Sequence, residues 1–78
     1  MKEFEIVIHS FQQVREFIST AAVQPFQILV GNENQMVNGK SFIGMVSLDF
    51  RRPLKVLCEC DGDSFLDFRQ QVAGLQVN

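Results

Sequence analysis

Tryptophan and tyrosine are absent from this 78-residue chain, and proline and cysteine occur twice each. Long apolar runs are missing too. Nothing approaches the roughly 18 residues a membrane-spanning helix requires, so no membrane partner is expected. The opening Met1-Lys2-Glu3-Phe4-Glu5 has acids where a secretory leader would be basic and then apolar, and a cytoplasmic protein is the expectation. The net charge is -2, and the one local cluster of cations is Arg51-Arg52 with Lys55. Nucleic-acid binding draws on counterion release from phosphates and leaves a basic stripe. Without that stripe, no nucleic-acid partner is expected.

Cys58 and Cys60 lie two apart. On a strand they share a face, with alpha carbons roughly 6.5 Å apart, close to the upper limit for a disulfide. A zinc site needs about four ligands at recognisable spacings, and two thiols with a distant His9 do not supply them. Both cysteines are therefore expected as small, buried, reduced side chains with no metal and no cofactor between them. A Ser-His-Asp set and a paired-carboxylate cleft are likewise missing. Gly39-Lys40-Ser41 ends like a phosphate-binding loop, but Asn34 stands where that motif needs glycine. Asp61, Asp63 and Asp67 fit a turn and a helix start, where the helix dipole favours negative charge.

What remains is rich in apolar material. Hydrophobic residues make up 46%, eight of them phenylalanine, enough for one domain spanning 1–78 and too little chain for a second core. A chain this short buries only about 60% of its unfolded surface, so that core must be efficient. The periodicity alternates along the chain. Over 3–8, Phe4, Ile6 and Ile8 share one face of a strand. Ser10-Phe11-Gln12-Gln13 fits a capping box, and Phe11, Val14, Phe17, Ile18, Ala21 and Ala22 follow at helical spacing. Pro25 ends that helix, and Phe26, Ile28 and Val30 alternate as a second strand.

Gly31-Asn32-Glu33-Asn34 reads as a turn built on residues that tolerate positive φ, with a short third strand over 35–37. After Asn38-Gly39, residues 41–48 read as a two-turn helix with Ser41 at its N-cap. Pro53 opens a strand in which Leu54, Val56, Cys58 and Cys60 alternate inward. After a turn at Asp61-Gly62-Asp63, Ser64 is expected to cap a last helix with Phe65, Phe68, Val72 and Leu75 on one stripe. The order is β-α-β-β-α-β-α. It implies an α+β open-faced β-sandwich, a four-stranded, mostly antiparallel sheet with helices on one face.

The segment Val37-Asn38-Gly39-Lys40-Ser41-Phe42-Ile43-Gly44-Met45-Val46-Ser47-Leu48 resembles the regulatory-serine region of the HPr-like family, phosphocarriers of the bacterial sugar phosphotransferase system. A Lys-Ser pair, two apolar residues, Gly and a Ser-Leu carry that resemblance, and the element order matches. In sequence pattern it runs from about Pro25 to Gly62. The family implies two phosphorylation sites. One is a histidine in a Gly-x-His-x-Arg-Pro loop at the first helix, which takes phosphate from enzyme I. The other is the serine, modified in many Gram-positive bacteria by a dedicated kinase. Here no loop separates Ile8 from Ser10, no glycine precedes the helix, and Gln12-Gln13 stands about where Arg-Pro belongs.

His9 is the one histidine and a weak candidate phosphoryl acceptor. A neutral ring nitrogen beside a helix start suits the chemistry, but the nearest arginine, Arg15, lies one and a half turns on. Ser41 is the stronger site. The resemblance makes it a regulatory phosphosite, with Lys40 beside it. Phe42, Ile43, Met45, Val46, Leu48 and Phe50 exceed what a short helix can bury on one side. Met45 and Leu48 are expected in the core with Phe42 as neighbour. The excess marks a docking surface of Lys40, Phe42, Ile43 and Val46, with a homodimer contact as the rival use. The resemblance implies a regulatory or adaptor protein, at most a phosphoryl carrier, whose partners are enzyme I, the HPr serine kinase or a transcriptional regulator. The alternatives are a divergent carrier using His9 and a binding module with neither phosphosite.

Overall fold

The computed structural model describes residues 1–76. Strand β1 (Lys2–Ile6) is followed by helix α1 (Phe11–Ala22), strands β2 (Ile28–Gly31) and β3 (Met36–Asn38), and helix α2 (Phe42–Val46). Strand β4 (Leu54–Cys58), helix α3 (Gly62–Gln71) and one 3₁₀ turn (Ala73–Leu75) complete it. The sheet order is β1-β4-β2-β3, and every pairing is antiparallel. This is the expected open-faced α+β sandwich.

Register explains the layering. Phe4 lies opposite Val56, Val56 opposite Val30, and Val30 opposite Val37, so one row crosses all four strands on the helix-covered face. Alternation puts Glu3, Glu5, Lys55, Leu57 and Leu29 on the other, open face. Val14, Phe17 and Ala21 of α1, Met45 of α2, and Phe65 and Phe68 of α3 close over the inner row. Phe68 is the hub of the aromatic core, with edge-on contacts to Phe4, Phe17 and Phe26 at 6.1, 5.9 and 6.0 Å. Such pairs add about 0.5–1.5 kcal/mol each beyond burial.

Several local expectations need correction. The first strand ends at Ile6, although Ile8 beyond it is buried. The third strand is shifted one residue along, and α2 is a single turn ending at Val46. Met45 and Leu48 are core as expected, whereas Phe42 is 48% exposed. The last helix is capped by Asp61, not Ser64: the Asp61 carboxylate accepts the Ser64 amide at 2.8 Å, which starts α3 three residues earlier. A carboxylate aimed at the first-turn amides is a strong N-cap. Cys60 falls beyond the end of β4 and is half-buried, while Cys58 is fully buried. Burial pushes the Cys58 thiol up to about 12, with its neighbour Cys60 adding to the rise.

The turn after β2 also works differently. No described residue has a positive φ. Instead the Asn32 Oδ1 atom accepts the amides of Asn34 and Gln35 at 2.8 and 3.1 Å, an Asx turn. Gly31 is needed there for space, since a Cβ would lie 1.9 Å from the Gln35 carbonyl oxygen.

Candidate functional site

Two helix starts carry the candidate residues His9 and Ser41. At α1, Ser10 has extended backbone and its hydroxyl accepts the Gln13 amide at 3.2 Å. Gln13 reaches back through Oε1 to the backbone N–H of His9 at 2.7 Å. The reciprocal bonds are those of a capping box, closed one residue further out than the usual N-cap amide. The His9 residue is exposed. The cap beside it already engages two of the amides that would face a phosphoryl group, those of His9 and Gln13. Arg15 is exposed on the following turn.

At α2, Ser41 is also extended and its hydroxyl accepts the Gly44 amide at 3.2 Å. The Asn38 carbonyl receives the Ser41 amide at 3.0 Å, and the Asn38 side chain receives the Lys40 amide at 2.9 Å. Asn38-Gly39 therefore delivers Ser41 to the helix start. Lys40 is half-buried, and its ammonium donates to the Gln24 carbonyl at 2.6 Å, tying the segment after α1 to the start of α2. A lysine proposed for docking thus has an internal hydrogen bond.

The two helix starts meet through an aromatic pair. Phe11 and Phe42 stack with ring centroids 6.5 Å apart and planes 25° from parallel. Both remain open to solvent, Phe11 at 66% and Phe42 at 48%, and Ile43 beside them is 81% exposed. Val46 is half-buried against the core, so the outward apolar surface is Phe11, Phe42 and Ile43, with Val46 at its margin. The sequence placed Phe11 on the inward stripe of α1. It is the first helical residue, one turn before Val14, and there the stripe has run past the edge of the core. The surplus of apolar residues around Ser41 was the legible signal. That Phe11 of α1 joins it was not.

Elsewhere the charges are dispersed. Arg51 grips Asp49 with two side-chain hydrogen bonds of 3.0 Å, which hold the Asp49 carboxyl at about 2. Arg52 and Lys55 line the same shallow cleft as Glu5 and Glu33, which breaks up the basic cluster. Among the described residues, no three His, Cys, Asp or Glu side chains lie together as metal ligands, and no helix is long and apolar enough to cross a membrane.

Comparison with known proteins agrees with this architecture. The crystal structure of HPr-C-His from Thermoanaerobacter tengcongensis superposes with a TM-score of 0.69 at 28% identity, covering 99% of this chain and 100% of that one. No protein-family model matches the chain, and no curated protein does. The end-to-end superposition shows that this chain has an HPr-like fold, and 28% identity over that length suits a divergent relative of that structure.

Proposed function

We propose that this chain is a single-domain, cytoplasmic HPr-like adaptor of the phosphoenolpyruvate-dependent sugar phosphotransferase system, regulated by phosphorylation of Ser41. The observation that carries the reading is the exposed Phe11–Phe42–Ile43 surface directly beyond the Ser41 cap. In the reaction, the Ser41 hydroxyl oxygen attacks the γ-phosphorus of ATP, ADP leaves, and the hydroxyl proton is released. The product brings roughly -1.5 to -2 of charge to a place where the first-turn amides of Phe42 and Ile43 have no intrahelical acceptor. The fold tolerates the group, and the apolar surface beside it gains a strong negative field. A partner that docks on bare apolar surface is repelled, and one with a cation beside its pocket is recruited. Enzyme I, the HPr serine kinase and a transcriptional regulator are the partner classes that fit, and a homodimer is the rival use of the surface.

The test is incubation with an HPr serine kinase and ATP. Mass spectrometry should find one phosphate, on Ser41, with the melting temperature unchanged or slightly raised. Ser47 donates its hydroxyl to the Gly44 carbonyl at 2.6 Å, and Ser64 lies inside α3. Phosphate on either, or on neither they nor Ser41, returns the chain to a binding module with no phosphosite. A carrier role for His9 is the second reading, favoured by the exposure of that residue at a helix start. Enzyme I and phosphoenolpyruvate should give little transfer, because Gln13 and Ser10 already engage the nearby amides. Efficient acid-labile phosphorylation that vanishes in His9→Ala would install the carrier reading instead.

A further inference from the structure

The Lys40 ammonium is half-buried, and its hydrogen bond is to a neutral acceptor, the Gln24 carbonyl. Among the described residues the one ion pair is Arg51 with Asp49, so Lys40 has no counter-ion there. The next residue is Ser41, whose alpha carbon is about 3.8 Å from that of Lys40. We propose that Lys40 is a latch: phosphate on Ser41 draws its ammonium off the Gln24 carbonyl and releases the segment that joins α1 to β2. This rests on Ser41 being the modified residue and adds how the modification is read inside the protein.

The energetic direction follows from charge. A carbonyl offers the ammonium a dipole, whereas a phosphate offers a dianion and up to three oxygens, and bonds between two ionised partners are the shorter and stronger class. The lysine stem has rotatable bonds enough to change partner without moving the backbone. Gln24 then loses a cation at the C-terminal end of α1, where cations satisfy late carbonyls and oppose the dipole.

Few other bonds hold the start of that segment. Gln24 donates its amide to Ala21 and its side chain to Thr20 within its own helix end, with a long 3.5 Å bond to Gln71 of α3, and Pro25 has no amide to donate. Phe26 beyond it is anchored on Phe68. The next backbone cross-links are at the base of β2, where the Gln27 carbonyl accepts the Glu59 amide and the Ile28 carbonyl accepts the Gly39 amide. Loosening is therefore confined to residues 23–25, and Phe26, the sheet and the Phe11–Phe42 stack stay in place. A partner meets a phosphate already paired with one cation, together with a newly mobile turn beside it.

The experiment uses the full chain prepared with phosphoserine at position 41, so that it does not depend on any kinase. Carbon-13 NMR of the Gln24 carbonyl is compared in the phosphorylated and unphosphorylated chains while phosphorus-31 follows the phosphate through its second ionisation, near 6. The expected result is a Gln24 carbonyl shift that moves with the same midpoint as the phosphate. Lys40→Gln should raise that midpoint, and Lys40→Arg should restore it. The backbone amides of Val23 and Gln24 should exchange several-fold faster in the phosphorylated chain. A Gln24 carbonyl indifferent to the phosphate, or a phosphate midpoint equal in the native and Lys40→Gln chains, overturns the latch. A kinase that ignores Ser41 would sink the regulatory reading and leave this result standing on its own.

Discussion

In both α1 and α2 a serine hydroxyl accepts the amide three residues on, at 3.2 Å in each case. The similarity stops at the cap. α1 has twelve residues, a glutamine that returns the serine's bond, and Val14, Phe17 and Ala21 buried beneath it. α2 has five residues, a glycine where α1 has that glutamine, and Met45 alone buried. A helix of five residues cannot pay its nucleation cost from its own hydrogen bonds. It is held by Met45, the Phe11–Phe42 stack and the Lys40–Gln24 bond. The same capping chemistry thus closes a rigid structural element in one place. In the other it starts a short element whose docking depends on its neighbours, and there an added charge has the most leverage.

The largest expected effect separates the two helices by their aromatic anchors. Phe17 is fully buried and Phe42 is half exposed. Phe17→Ala should cost about 3–5 kcal/mol, a large part of the roughly 4–12 kcal/mol expected for a chain of this size. Phe42→Ala should cost less than about 1 kcal/mol, as surface changes do. Urea midpoints with unchanged slopes would measure both. Equal losses would mean that Phe42 is core in solution, and the proposed docking surface would lose its central residue.

What the sequence revealed divides along the same line. The periodic stripes located the sheet rows and both long helices, because burial in a small protein leaves few ways to arrange Phe4, Ile6, Val56, Phe65 and Phe68. The serine caps were legible because their hydrogen bonds are local. Misreadings arose where a side chain's role depends on a distant neighbour. Lys40 looked only like a docking cation, and its bond to a carbonyl 16 residues away in sequence was not legible. Phe11 looked inward, but it stacks across to another helix. At α3, Asp61 and Ser64 are both good caps three residues apart, and local pattern alone did not decide between them. Asp61 is the N-cap, and its carboxylate holds the Ser64 amide.

A smaller effect concerns the reciprocal bond itself. Ser10→Ala and Ser41→Ala should each cost about 1 kcal/mol as lost N-caps. Gln13 shares a hydrogen-bond circuit with Ser10, so the double variant Ser10→Ala/Gln13→Ala should depart from additivity by about 0.5 kcal/mol or more. The pairing of Ser41→Ala with Gln13→Ala should be additive. Equal coupling in the two pairs would show that the helices are not independent. The loss in Ser41→Ala should also stay local, raising amide exchange at Met45 and Leu48 before the sheet amides respond.

The smallest effect uses α3 as the control, because its N-cap already has a negative charge. The Asp61 carboxylate is fully exposed, yet the Ser64 amide holds it below the ordinary carboxylate range. A carboxyl with a depressed folded value stabilises the protein fully above its unfolded value, near 3.9, and that contribution disappears as pH falls through the folded value. Asp61→Asn keeps a capping oxygen but does not titrate in this range. The stability difference between the native chain and Asp61→Asn should therefore stay level from pH 6 down to near the unfolded value and shrink as pH falls below it. Asp49, held at about 2 by Arg51, is common to both chains and cancels from the difference. The hydroxyl caps behave otherwise. The penalties of Ser10→Ala and Ser41→Ala should be flat over the same range, since neither serine changes charge. Phosphoserine at position 41 should convert α2 to the pattern of α3, with a contribution that fades as the phosphate takes up its second proton near 6. A pH-dependent Ser41→Ala penalty in the unmodified chain would reveal a titrating group at that cap, and α2 would then differ from α1 in charge as well as in length.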